Sequence, residues 1–310
     1  MNRSKLLIYF SLVLVMFFWG MNVIALKVLV TSFPPIMLTA FRVFIAGVLV
    51  TVVVLFKNEI RRLTRREWGY LLLSSLFGII GHHIFLTYGL VNTTASNSSI
   101  ILALLPLTTA LLARVLLGEQ LSRSRFLGII LGFIGVMFIV LQGELQLGKQ
   151  ALGDFYIFLC MLFQGLSFIT IKNLSNTLNS RQLTAMMLII GSIAMFFISL
   201  FVEASPLQAM MSGTSFAWLL LIGSAVLATA VGQMIYNRSI HQLGASEAAV
   251  FINLAPFFGL IGSVVFLGEE ISWKQMAGFI FIVIGVILGA GVLDKRIRRR
   301  KKLKQAKTSS

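Results

Sequence analysis

Long apolar runs separated by short polar loops organise this chain. Crossing a hydrocarbon core takes about 20 mostly apolar residues in a helix. Ten segments approach or meet that length: 6–26, 36–56, 68–90, 95–117, 126–141, 152–172, 183–202, 216–236, 248–266 and 276–293. Barrel strands would be about ten residues long and strictly alternating, and these runs are neither. The expected fold class is therefore all-α integral membrane, with ten transmembrane helices. The longest polar stretch is the tail, 294–310.

Composition agrees. Charged residues make up 12% of the chain and apolar ones 58%, with a mean hydropathy of +0.94. A soluble domain carries about 25% charged residues, so lipid must replace water around much of this surface. A net charge of +16 would suggest nucleic acid in a soluble chain. Here the basic residues lie between apolar runs and in the tail, which points to membrane topology. With the N-terminus placed in the cytoplasm, 22 of the 26 Lys and Arg fall on that side, and only Lys149 and Lys274 on the other. Lys27 and Arg42 lie at or within the outer membrane face. The bias predicts a multi-pass protein of a bacterial-type plasma membrane with both termini cytoplasmic. Segment 6–26 imitates a signal peptide but lacks a small-x-small cleavage site, and reads as an uncleaved span. The lone Cys160 and three histidines predict neither a disulfide nor a metal centre, and no cofactor is expected.

The chain also repeats itself. At an offset of 145, Gly20 matches Gly165, Lys27 matches Lys172 and Leu38-Thr39-Ala40 matches Leu183-Thr184-Ala185. At an offset of 150, Ala95-Ser96 matches Ala245-Ser246, Pro106 matches Pro256, and Leu117-Gly118-Glu119 matches Leu267-Gly268-Glu269. The expected units are 1–145, 146–293 and the basic tail 294–310. Five spans per half is an odd number, so the second half enters from the opposite side. Inverted repeats of this kind are common in secondary transporters, whose substrate sites lie near the bilayer midplane.

Several of these residues carry a family likeness. Trp19-Gly20-Met21-Asn22-Val23 with Lys27, Arg42, the twin Leu-Gly-Glu motifs and the pairs Gly128/Gly135 and Gly278/Gly285 resemble EamA-type proteins of the drug/metabolite transporter superfamily. The resemblance runs from about residue 6 to 293. It implies a ten-helix inverted-repeat carrier, often an exporter of amino acids or other metabolites. The second half departs from the motif, with Gln164 in place of the tryptophan and Ser167 in place of Asn22.

Candidate binding residues are the polar groups at membrane depth, where an unsatisfied amide or charge must face protein or water. Trp19 and Asn22 share a helix face, as do Gln164 and Ser167. They either line a central cavity or bond between helices. On an unbroken α-helix His82 shares a face with Ser75, Gly78 and Gly89, which puts it rather than His83 toward a cavity. Gln233 is its counterpart in the second half. His82 would relay a proton or serve as a structural hydrogen-bonding group. Arg42 would attract a carboxylate, or else snorkel. Lys27 is expected to snorkel. Pro106 and Pro256 predict mid-span kinks, either beside the site or simply for packing. Glu247 and the Leu-Gly-Glu glutamates read as helix-end and turn residues, and no acid is placed at the bilayer centre. The small-xxx-small stripes 128–132 and 285–289 predict close packing within each half, with homodimer contact as the alternative. The near phosphate-loop 143–150 ends in Gln150 where Ser or Thr is needed. The tail predicts attraction to anionic lipid.

The sequence thus predicts a secondary carrier, not an enzyme. It would move a small polar or amphipathic metabolite, in the manner the resemblance implies an amino-acid-like one, by alternating access and in the export direction. Uptake is the rival direction. A membrane-embedded enzyme, or a structural or sensory protein, is the rival class. The expected substrate-binding set is Trp19, Asn22, Arg42, His82, Gln164, Ser167 and Gln233.

Overall fold

A computed structural model describes residues 3–118, 123–140, 148–174, 177–243, 251–252 and 254–289. Glu119, Glu247, Ala245-Ser246 and the basic tail lie outside the described residues. No strand occurs among those described. The helices are α1 (Arg3–Ser32), α2 (Pro35–Phe56), α3 (Arg65–Ser75), α4 (His82–Asn92), α5 (Ala95–Leu102), α6 (Leu105–Leu117), α7 (Arg123–Val140), α8 (Lys149–Leu174), α9 (Ser180–Val202), α10 (Pro206–Met211), α11 (Ser215–Gly223), α12 (Gly232–Leu243), α13 (Leu254–Leu267) and α14 (Trp273–Gly289). Two π-helices, π1 (Leu76–Gly81) and π2 (Ser224–Val231), join α3 to α4 and α11 to α12.

Among the described residues, seven helical segments are long and apolar enough to cross a membrane, and 126–138, 254–267 and 273–288 are shorter apolar helices. Phe56 is 85% and Phe201 88% exposed, among many other exposed large apolar side chains, an apolar surface of the kind that faces a membrane or a partner. The chain is a multi-pass membrane protein.

Three features were not expected from the apolar runs. First, α1 continues past Lys27 to Ser32, because nothing stops the helix before Pro34-Pro35. Lys27 consequently does not snorkel. Its Nζ donates to Leu90 O and Thr93 O, each at 2.6 Å. It thereby satisfies carbonyls at the C-terminal end of α4, where a cation suits the helix dipole. Second, 95–117 is broken at Ala103-Leu104, and Pro106 lies in the first turn of α6. A proline there loses no hydrogen bond that a helix start would make. Pro256 is buried near the start of α13. Third, α10 covers the α9–α11 connection, entered through Ser205 at φ +46°.

Acidic groups cap helices. Glu203, at the end of α9, accepts from Ile36 N and Met37 N at 2.8 and 3.0 Å. Glu269 accepts from Ala95 N and Ser96 N at 2.9 and 2.8 Å. Each carboxylate closes two orphan donors at the N-terminus of another helix. The Leu-Gly-Glu motif is thus a turn, with Gly268 at φ +65°, that also aims a cap. Glu269→Ala is expected to lower stability by about 1–3 kcal/mol, read as the thermal midpoint of the purified protein. The exposed neighbour change Glu270→Ala should leave it in place. Equal midpoints would remove the cap from the account.

Packing pairs α2 with α9, α7 with α14, α4 with α8 and α1 with α13. The glycine stripes act in the second of these. A Cβ on Gly135 would lie 2.6 Å from Gly278 O, and one on Gly285 would lie 2.5 Å from Gly128 O. The stripes expected to pack within each half instead join 1–145 to 146–293.

Candidate substrate-binding site

The site is built around the two π-helices. Both are rich in small residues, Leu-Phe-Gly-Ile-Ile-Gly and Ser-Ala-Val-Leu-Ala-Thr-Ala-Val, so neighbouring helices approach closely. A Cβ on Gly78 would lie 2.2 Å from Ser167 Oγ, and one on Gly81 2.0 Å from the Phe163 ring; α8 lies directly on π1. π-Turns are rare and concentrate where function bends a helix.

On π2 the gripping helix is α1. Trp19 Nε1 donates to Ala228 O at 2.9 Å, and Ser224 Oγ donates to Asn22 Oδ1. Beside π1 the corresponding contact comes from α8, where Ser167 Oγ donates to Ser74 O near the end of α3 at 3.4 Å. Trp19 and Asn22 of α1 therefore brace π2, and Ser167 of α8 lies against the end of α3 and against Gly78 of π1.

Arg42 occupies the space between. It is 1% exposed and does not snorkel. Nη1 donates to Thr229 Oγ1 of π2 at 2.7 Å. Nη2 lies 3.2 Å from Nδ1 of His83, two residues beyond π1. A guanidinium only donates, so His83 Nδ1 accepts. The Thr229 hydroxyl passes its own proton to Ser224 O at 3.4 Å. His82 stacks edge-on against His83 at 4.7 Å between centroids. Its Nδ1 lies 3.3 Å from Cys160 O and 3.1 Å from Cys160 Sγ on α8.

A continuous polar chain results: Asn22, Ser224, Thr229, Arg42, His83, His82 and Cys160. It joins α1, π2, α2, α4 and α8. Three residues singled out from the sequence, Asn22, Arg42 and His82, are members, and Trp19 touches the same π-helix. Gln164 lies one helical turn from Cys160, and Gln233 follows π2; both are half-buried and neither amide has a hydrogen-bonding partner among the described residues. Ser167 is buried against α3 and π1, outside the chain.

His83, Thr229 and Ser224 were missed. The expected face of His82 assumed 100° per residue through 75–89. The i→i+5 bonds of π1 take up extra residues per turn, so the face beyond it rotates, and His83 comes round to Arg42. Thr229 had a weak signal as the hydroxyl within an Ala-Thr-Ala run.

No carboxylate joins this chain among the described residues. Ion pairs lie elsewhere, among them Arg61–Glu67 at 2.5 Å and Arg181–Glu59 at 3.1 Å. Asp154 is in the second turn of α8 and 2% exposed. Thr93 Oγ1 donates to it, and Asn97 Nδ2 reaches both its oxygens at 3.1 Å. Gln275 in turn donates to Asn97 Oδ1 at 2.7 Å. This network ties α8 to α5 and α14. No cluster of three or more potential metal ligands occurs among the described residues. A separate cleft of about 560 Å³ opens between Thr51, Ile60, Arg62, Trp68, Gln182 and Met186.

Known proteins match over this whole architecture. The profile of the EamA-like transporter family matches residues 6–141 and 151–290. An uncharacterized transporter of Bacillus subtilis (strain 168), YyaM, is 27% identical over 291 residues, covering 92% of this chain and 94% of that protein. An uncharacterized transporter of Archaeoglobus fulgidus is 25% identical, covering 89% of this chain and 96% of its own. A solved crystal structure superposes with a TM-score of 0.64 at 19% identity, covering 96% of this chain and 99% of that one, which is a likeness of fold. The chain belongs to the EamA-like transporter family.

Proposed function

We propose that this membrane transporter is a secondary carrier that moves a small polar or amphipathic metabolite by alternating access, in the export direction. Its ten spans form two five-helix halves of opposite orientation, with both termini in the cytoplasm of a plasma membrane. The observation that carries the reading is the reciprocal bracing of two π-helices. Each interrupts the third span of its half, and each is held by the first span of the other half. An interrupted helix bends at lower cost than a continuous one. Its polar contacts to the opposite half give two packings something to exchange. Trp19, Asn22, Arg42, His82, Gln164, Ser167 and Gln233 would contact or position the solute, and Pro106 and Pro256 set the bends of the fourth and ninth spans.

Topology is tested with reporter fusions after Gln150 and at the C-terminus, expected to report opposite sides of the membrane. Same-side reporters would remove the inverted-half arrangement. Transport is tested with proteoliposomes loaded with a mixture of labelled amino acids, organic acids, amines and sugars. At least one solute is expected to leave faster than from protein-free vesicles, and Asn22→Leu should slow it by about tenfold, the effect of one buried hydrogen bond. Release that never exceeds that of empty vesicles would oppose the carrier reading.

A further inference from the structure

The guanidinium of Arg42 is a buried cation whose charge nothing in the described chain neutralises. It carries five N–H groups. One goes to Thr229 Oγ1 and one toward His83 Nδ1, both neutral acceptors. Nε has no hydrogen-bond partner although it is fully buried. A charge held out of water without a counter-charge is costly, and the cost is removed by an anion at hydrogen-bonding distance. The remaining donors form part of a planar fork, the geometry that receives a carboxylate on two parallel N–H bonds.

We propose that Arg42, with His83 and Thr229 orienting it, binds the carboxylate of a monoanionic or zwitterionic solute between the two π-helices. This rests on the carrier reading and names the substrate class of the same site. One guanidinium balances one negative charge, which favours a carboxylate over a dianionic phosphate. An anion here would contact a group tied to π2 through Thr229 and to α4 through His83, so its arrival would bear on both halves together.

The full chain in detergent would be unfolded thermally at constant ionic strength in chloride. The probes are isovalerate and L-leucine, their uncharged-carbonyl counterparts isovaleramide and L-leucinamide, and inorganic phosphate. The carboxylates are expected to raise the midpoint by on the order of a few degrees at saturation, and the amides are not. Arg42→Met should lose that response while keeping a midpoint at or above wild type, because it removes an unpaired buried charge. Arg42→Lys should keep part of it. Amides that stabilise as well as carboxylates, phosphate that stabilises instead of them, or a carboxylate response surviving in Arg42→Met would each overturn the site. So would a lowered Arg42→Met midpoint with no carboxylate response in wild type, which makes Arg42 a structural clamp. Vesicle flux separates the two readings. Flux of neutral or cationic solutes alone, unchanged in Arg42→Met, removes the carboxylate site and leaves the carrier. Arg42-dependent carboxylate binding without any flux removes the carrier and leaves the site.

Discussion

Valine in place of Gly135 is expected to abolish accumulation of folded protein. Its Cβ would lie 2.6 Å from Gly278 O and 3.2 Å from Ile282 N, both backbone atoms that no side-chain rotation can move. Gly285 stands the same way against Gly128 O at 2.5 Å and Gly132 N at 3.0 Å. In lipid, helices gain little by hiding apolar surface from one another. Close backbone approach at small residues supplies the attraction instead. Forcing α7 and α14 apart loses that contact along their shared length. Overpacking commonly costs about 1–3 kcal/mol, and a clash against backbone costs more. Gly69→Val is the matched control, since nothing lies within 4 Å of the added carbon. Membrane abundance and a monodisperse gel-filtration peak are the readouts. Normal yield for Gly135→Val would mean that α7 and α14 do not cross as described.

This crossing also marks a limit of what the sequence conveys. Small residues at fourth positions announce a close helix partner but not which one. The stripes 128–132 and 285–289 were therefore assigned to contacts within their own halves, whereas they meet across them. Seven of the ten expected spans coincide with helices long and apolar enough to cross a membrane, and these were legible because about 20 apolar residues have few alternatives. The π-helices were not, since Leu76–Gly81 and Ser224–Val231 are as apolar as α-helical residues nearby and the extra residue in the turn leaves no hydropathy signal. Among polar groups, depth was legible and partner was not. Arg42 was recognised as deep, but its bonds to Thr229 and His83 depend on the rotation that π1 and π2 introduce.

Replacing His83 is expected to impair transport more than replacing His82, the reverse of the order that unbroken helical periodicity gives. His83 supplies the acceptor for Arg42 Nη2 at 3.2 Å. Removing it leaves a further buried donor of a charged group unsatisfied and frees the guanidinium to turn. A hydrogen bond involving a charged group contributes about 1.5–3 kcal/mol, or roughly 10- to 100-fold in a rate or affinity. His82 instead reaches Cys160 through its Nδ1, a contact between neutral groups worth about 1 kcal/mol. Vesicle flux at matched protein abundance should fall by the larger factor for His83→Leu and by less than about tenfold for His82→Leu. His83→Gln should recover part of the loss, because its amide oxygen can replace Nδ1 as acceptor. An added carboxylate should raise the thermal midpoint of His83→Gln but not that of His83→Leu, a response that a merely structural role would not move. Greater loss for His82→Leu would place the solute on the α8 side of the histidine pair, away from Arg42.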